Sequence, residues 1–385
     1  MAKLTIALIL VLAPLIVELN PRWRLPMIVL EIGLGMLVGP YGLNLLQGGV
    51  VEQYFSDLGL ALLFFITGFE INVSRLRGRP LGLAFKSWLL SLAIALIAAL
   101  SLSGLGLVRD SLLLATALTT TAIGTLMPVL RDAGELETRF GSFMLAAGAM
   151  GELGPLLMMM LVLTGGQNHL LQPLLLLAFI SIVAGSIYLS LRYQPPRLIA
   201  VLSRTLNTTA QLPVRLCVLT LVGLTTLAQV LGFDTIIGAF AAGMAIALVI
   251  KGDQAEVLRQ KLDGLGFGVF IPIFFVTTGV NFDFSALTAH PLTLLKLPVF
   301  LLLFLLVRGL PVLLYRRDLP QQDLPSLALF SATALPLVVA ITNIGVSTGR
   351  MLPENATALV GAGMLSVFLF PLLGLSLRHK ASAGQ

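Results

Sequence analysis

The sequence predicts an all-α polytopic membrane protein with about thirteen transmembrane helices, arranged as two inverted six-helix repeats that contain discontinuous helices. Three observations carry that prediction. The chain is 57% hydrophobic and 11% charged over 385 residues, its apolar runs repeatedly reach the length of a membrane span, and its two halves carry matching motifs in the same order. Such a composition excludes a soluble globular domain.

The run 4–18 follows Lys3 as a secretory signal would, but it lacks a small-x-small cleavage site. Asn20-Pro21-Arg22-Trp23-Arg24 places charge directly behind it, so it is expected to be a retained first span. Runs 26–45, 57–73, 81–105, 109–131 and 139–165 complete the first repeat, about 4–165. The linker span 171–192 leads to 212–231, 234–251, 264–282, 292–316, 323–345 and 357–378, the second repeat, about 212–378. Asp234, just after Gly232, is expected to cap its helix.

Orientation tests the count, because an odd number of spans puts the termini on opposite sides. Nineteen basic residues, from Arg22 and Arg24 to Arg378 and Lys380, fall on one side, against Lys3, Arg109, Lys296 and Arg350 on the other. The N-terminus is therefore expected outside and the C-terminus in the cytoplasm, with the chain in the cell inner (plasma) membrane. This asymmetry also accounts for the net charge of +6 without nucleic acid. The twenty-fourth basic residue, Arg308, lies inside the run 292–316.

The repeats appear in short matches. Phe64-Phe65-Ile66-Thr67-Gly68 recurs as Phe274-Phe275-Val276-Thr277-Thr278-Gly279, and Gly35 and Gly39 recur as Gly238 and Gly243. Thr119-Thr120-Thr121 ahead of Pro128 recurs as Ser331-Ala332-Thr333 ahead of Pro336. An odd linker span inverts the second unit, as in secondary transporters, whose sites lie at the midplane where helices are interrupted.

The chemistry centres on Ala146-Ala147-Gly148-Ala149-Met150-Gly151-Glu152-Leu153-Gly154-Pro155, which places one acid near the middle of an apolar span. An ionisable residue there marks a functional site by default. Pro155 is expected to free the carbonyl of Gly151, giving a carboxylate and a carbonyl as a ligand pair for a dehydrated alkali cation. A proton and a cation would compete for Glu152, which is sufficient for antiport. Gly148, Gly151 and Gly154 leave a bare helix face, for close packing or for water.

Thr120, Thr121, Gly124 and Pro128 in one span, and Thr333 and Pro336 in the other, are candidate ligands and break positions, with Pro128 freeing Gly124 and Pro336 freeing Ala332. Hydroxyls of this kind also serve simply as helix packing. Arg308 is the expected ion-pair partner of Glu152, either permanently or until Glu152 takes up an ion. Glu18, Glu31, Glu70 and Asp283 stand nearer span ends and are expected to be solvated or paired. Cys217 alone allows no disulfide or thiolate metal site, His169, His290 and His379 fall in loops or the tail, and no cofactor is expected.

Gly33–Leu43, Leu62–Ile71, Met127–Gly134 and Ile273–Gly279 together resemble the Kef-type cation:proton antiporters of the sodium/proton exchanger superfamily. The resemblance implies exchange of Na+ or K+ for H+, a homodimer, elevator-like movement of a core domain, and two crossed broken helices at 109–131 and 323–345. It also implies an ion- and proton-binding carboxylate at Glu152 and a basic core residue at Arg308. Where that family often carries a first polar residue, this chain has Gly151, so one charge carrier is lost and electroneutral exchange is expected. The chain ends at Gln385 without a G-x-G-x-x-G nucleotide-binding domain, so regulation is expected to come from a separate subunit or to be absent.

Two other transport classes compete. A gated potassium efflux pathway lacks a TVGYG-type filter, and a cation-coupled organic-anion symporter would need a solute cavity. An enzyme is not expected, since there is no H-E-x-x-H and no convincing nucleophile–base pair.

Overall fold

The computed structural model describes residues 2–19, 27–70, 78–163, 171–192, 201–202, 204–250, 252–282, 285 and 291–383, which are helices and their connections, with no strand among them. Arg22, Arg24, Arg75, Arg77, Arg197, Lys251, Asp283, His169 and His290 lie outside the described residues.

The helices are α1 Ala2–Leu19, α2 Met27–Val38, α3 Val50–Glu70, α4 Arg79–Gly104, α5 Ser111–Leu118, α6 Ile123–Asp132, α7 Arg139–Leu163 and α8 Leu171–Arg192. They continue as α9 Leu212–Val230, α10 Thr235–Val249, α11 Asp253–Leu265, α12 Ile271–Val280, α13 Pro291–Gly309, α14 Leu324–Ser331, α15 Pro336–Ser347 and α16 Pro353–Ala383. Among the described residues, eight helical segments are long and apolar enough to cross a membrane. The expected runs 4–18, 26–45, 109–131, 171–192 and 234–251 fall on shorter apolar helices.

Expected and observed ends differ where local chemistry overrides hydropathy. The run 26–45 stops being helical at Val38, where the chain folds back on itself at Gly39-Pro40, with Leu43 N–H donating to Leu37 O at 2.7 Å and Leu45 and Leu46 N–H to Val38 O at 2.9 Å. The run 264–282 starts earlier, because α11 continues through a π-helical turn, Gly266–Phe270, into α12. α13 tightens after Arg308 into a 3₁₀ stretch, Leu310–Arg317, where Pro311 removes a backbone donor.

The chain forms two compact units. One comprises Gly48–Asn72 and Leu163–Thr277. In it α3 and α10 cross backbone to backbone: a Cβ on Gly68 would meet Phe240 O, and one on Gly243 would meet Phe65 O. Asp234 caps α10 as expected, accepting from Ile236 N–H at 2.9 Å. Gly243→Val should destabilise the protein by about 3 kcal/mol or more, since neither backbone can yield. Thermal unfolding in detergent checks this, with Gly185→Val, in open space on α8, expected to be silent.

The other unit comprises Met1–Gln47, Val73–Val162 and Thr278–Gln385. There α2 meets the end of α12 in a second glycine seam: a Cβ on Gly39 would stand 3.0 Å from Val280 Cα, and one on Gly279 would meet Ile32 O. Its core joins Leu126 and Leu130 of α6, Phe140, Phe143 and Met144 of α7, Tyr315, and Leu327 and Phe330 of α14. Two runs, α5–α6 and α14–α15, are each interrupted midway, and ion pairs clasp their ends. Asp110, which caps α5 through Leu112 and Leu113 N–H, pairs with Arg350 beyond α15 at 2.7 Å. Asp323, at the start of α14, and Glu135, beyond α6, share Arg378 of α16. The start of each run is thus tied near the end of the other, which holds the runs antiparallel.

Candidate functional site

The first break spans Thr119–Ala122. α5 ends because its threonines bond back to it: Thr119 Oγ1 donates to Thr116 O at 2.9 Å and Thr120 Oγ1 to Ala117 O at 2.8 Å. The next three N–H groups find partners across the fold, which a buried backbone requires. Thr121 N–H donates to Gly151 O at 2.9 Å, Ala122 N–H to Thr333 O at 2.8 Å, and Ile123 N–H to Glu152 Oε1 at 3.0 Å.

The second break spans Ala332–Leu335. Thr333 Oγ1 bonds back to Leu329 O at 3.1 Å, and Ala334 N–H donates to Ser366 Oγ at 3.0 Å. Pro336 opens α15, a position at which its missing N–H leaves no unmade helical bond. The two breaks touch directly, through Ala122 N–H on Thr333 O and Thr121 Oγ1 on Ser331 O at 2.6 Å.

α7 lies along this crossing on its glycine face. A Cβ on Gly148 would strike the Ile123 side chain, one on Gly151 would sit 2.5 Å from Thr121 Oγ1, and one on Gly154 would overlap the Trp88 ring. Glu152 is 5% exposed, and its carboxylate receives the Ile123 N–H at the N-terminus of α6. The unsatisfied amides of a helix start attract negative charge, a stabilisation of up to about 2 kcal/mol in a partly buried geometry.

Arg308, at the end of α13, is 2% exposed. Its Nε reaches Thr121 Oγ1 at 3.0 Å and Ser331 O at 3.3 Å, one terminal nitrogen reaches Ser91 Oγ of α4 at 3.3 Å, and the other reaches Ala147 O of α7 at 3.1 Å. That last nitrogen also stands 2.8 Å from where a Cβ on Gly151 would be. The guanidinium thus pins α4, α7 and both breaks together, in the space a larger residue at position 151 would need.

Of the residues singled out in the sequence, Thr120, Thr121, Gly151, Glu152, Arg308 and Thr333 meet at this crossing, and Pro336 borders it. Gly124 and Pro128 do not mark the first break as expected. They lie inside α6, because the helix stops at the back-bonding threonines and resumes once Ile123 N–H is held by Glu152. The Gly151 carbonyl freed by Pro155 is taken up by Thr121 N–H. Glu31, expected to be solvated or paired, is 5% exposed within α2, so it is not solvated. Glu70 stands 3.9 Å from Arg259, and Glu18 is exposed. Ser91 and Ser366 were not singled out beforehand; the available signal was a lone hydroxyl in a long apolar run.

Residues 7–375 match the family described as "Sodium/hydrogen exchanger, transmembrane". The chain belongs to this family. It is thus a multi-pass membrane protein of the exchanger family. It is similar to YjbQ of Bacillus subtilis (strain 168), 25% identical over 387 residues, and covers 96% of this chain but 62% of that protein's length. A Na+/H+ antiporter of Enterococcus hirae is 26% identical over 322 residues, 79% of each chain. The structure of the sodium proton antiporter MjNhaP1 from Methanocaldococcus jannaschii has a similar fold, with a TM-score of 0.67 over 97% of this chain and 95% of that one, at 17% identity.

Proposed function

We propose that the chain is a secondary active antiporter exchanging Na+ or K+ for H+, with Glu152 as the site the two ions share. The observation that carries this reading is a buried carboxylate held at the start of α6 within a crossing of two broken helices. The names of the Enterococcus hirae relative and of MjNhaP1 support the same chemistry. A proton or a dehydrated cation neutralises the carboxylate, and neither can bind while the other does. Exposing the site alternately to each side then couples the two fluxes.

The cation's further ligands are the hydroxyl oxygens of Thr120 and Thr121 and the Gly151 carbonyl. Each oxygen is already aligned by a hydrogen bond to the crossing, but each retains acceptor capacity. The direct ion pair expected between Arg308 and Glu152 is not formed: the guanidinium ends on the oxygens of Thr121, Ser331, Ser91 and Ala147 rather than on the carboxylate. The two opposite charges at the one crossing still leave the empty site neutral overall. Loading with either H+ or one alkali cation gives the same net charge. One-for-one exchange is therefore electroneutral, and Gly151 supplies no second carrier.

The wider architecture is part of this reading. Thirteen spans, N-terminus outside, would form two inverted repeats, about 4–165 and 212–378, joined by the span 171–192. The glycine seams support it: Gly68 of α3 packs on α10 while Gly279 of α12 packs on α2, the exchange of partners that an inversion requires. The core would move as an elevator within a homodimer.

In proteoliposomes, an imposed Na+ or K+ gradient should drive proton movement, with Li+ and Rb+ defining the selectivity across pH. Absence of flux with both Na+ and K+ would sink the antiport reading. Sustained current under an imposed voltage would instead contradict electroneutrality alone.

A further inference from the structure

The Glu152 site has a mirror image on the second break. α7 lays Gly151 and the Glu152 side chain against the first break; α16 lays Gly363 and the Ser366 side chain against the second. A Cβ on Gly363 would stand 2.7 Å from Ala334 O, so this helix can approach only because that position is bare. Ser366 is 0% exposed. Its Oγ accepts from Ala334 N–H at 3.0 Å, and its one proton points to Gly363 O at 2.7 Å and Ala334 O at 3.0 Å.

We infer that Ser366 is a positioning residue for the cation site at Glu152, an inference that rests on the antiport reading for its transport readout. Three hydrogen bonds join the two side chains: the first two lie on the single peptide unit Thr333–Ala334, and the second and third on the consecutive peptide units either side of the Ala122 Cα. Ser366 holds Ala334; Thr333 O, the adjacent carbonyl, holds Ala122 N–H; and Ile123 N–H, the adjacent amide, holds Glu152 Oε1. The Thr333–Ala334 peptide is planar and stiff, so its rotation carries Thr333 O along. Ala122, whose own and neighbouring N–H groups are all bonded, is held on both sides and passes that displacement on to Ile123. Without the hydroxyl, Ala334 N–H loses its partner in a dry interior, and the break must turn to find another. That turn moves Thr333 O, then the Ile123 amide, and the carboxylate loses its alignment with Thr120 and Thr121.

Steady-state exchange in proteoliposomes tests this, combined with amide hydrogen exchange on the purified full chain. Ser366→Ala should raise the cation KM about tenfold with kcat changed less than about twofold, and Ser366→Thr should restore it. Amide exchange at Ile123 should accelerate in the alanine variant. If Ser366→Ala does not accumulate, Ser366→Cys keeps the volume, weakens the hydrogen bond and gives the same readouts. An unchanged KM, or a loss confined to kcat, overturns the inference while leaving the antiport reading intact. If the wild-type protein exchanges no cation for protons, the antiport reading fails instead. The Ile123 amide then decides: faster exchange upholds the positioning role, and unchanged exchange overturns it.

Discussion

Glu152→Gln should reduce cation-driven proton flux at least about a hundredfold, because a dehydrated cation bound in the site without its counter-charge forfeits about 3 kcal/mol or more. The amide is nearly isosteric and its oxygen can still accept the Ile123 N–H, so α6 keeps its cap and the crossing its shape. What disappears is the negative charge and the exchangeable proton. Flux measured in proteoliposomes, beside a melting temperature within a few degrees of wild type, separates loss of chemistry from loss of fold. Exchange at the wild-type rate would remove Glu152 from the mechanism.

Arg308→Met should destabilise the protein by about 3 kcal/mol or more, because each buried acceptor left without its donor costs about 1–3 kcal/mol. Four neutral oxygens, those of Thr121, Ser331, Ser91 and Ala147, lose a donor together, and α4, α7 and both breaks lose the group that binds them. Arg308→Lys should rescue only part of this, since a single ammonium cannot reproduce the planar fork that reaches three helices. Denaturant or thermal unfolding in detergent measures both variants. A lysine variant as stable as wild type would contradict the role assigned to the fork.

Much of the site was legible before the fold. Glu152 and Arg308 stand out because hydrocarbon tolerates few ionised groups, so each one in an apolar run needs a reason. The spacing of Gly148, Gly151 and Gly154 showed a bare helix face, and the structure fills it with Ile123, Thr121 with Arg308, and Trp88. Pro336 was legible as a break position; the structure puts it at the start of α15, where its missing N–H leaves no helical bond unmade.

The first break was misplaced for a physical reason. Pro128 was the visible local defect, yet one missing donor within α6 is tolerated where the helix is otherwise well packed. The actual interruption at Thr119–Ala122 depends on acceptors elsewhere in the chain. Ser366 and Ser91 were overlooked for the same reason: a serine in an apolar run is ordinary until the group it bonds is known. For Glu31 the position near a span end left open whether it is solvated or paired, and its burial excludes the first, because distance from a loop says nothing of what packs over it.

By itself the sequence determined that the chain belongs in a membrane, where its charges stand and which helix faces are bare, because these follow from transfer energies and side-chain size along one chain. Only the tertiary structure decided where the helices break and which groups meet. Thr121 Oγ1 bonds a carbonyl 210 residues away. A buried backbone amide must be satisfied by something, and helical periodicity cannot say which distant oxygen will do it.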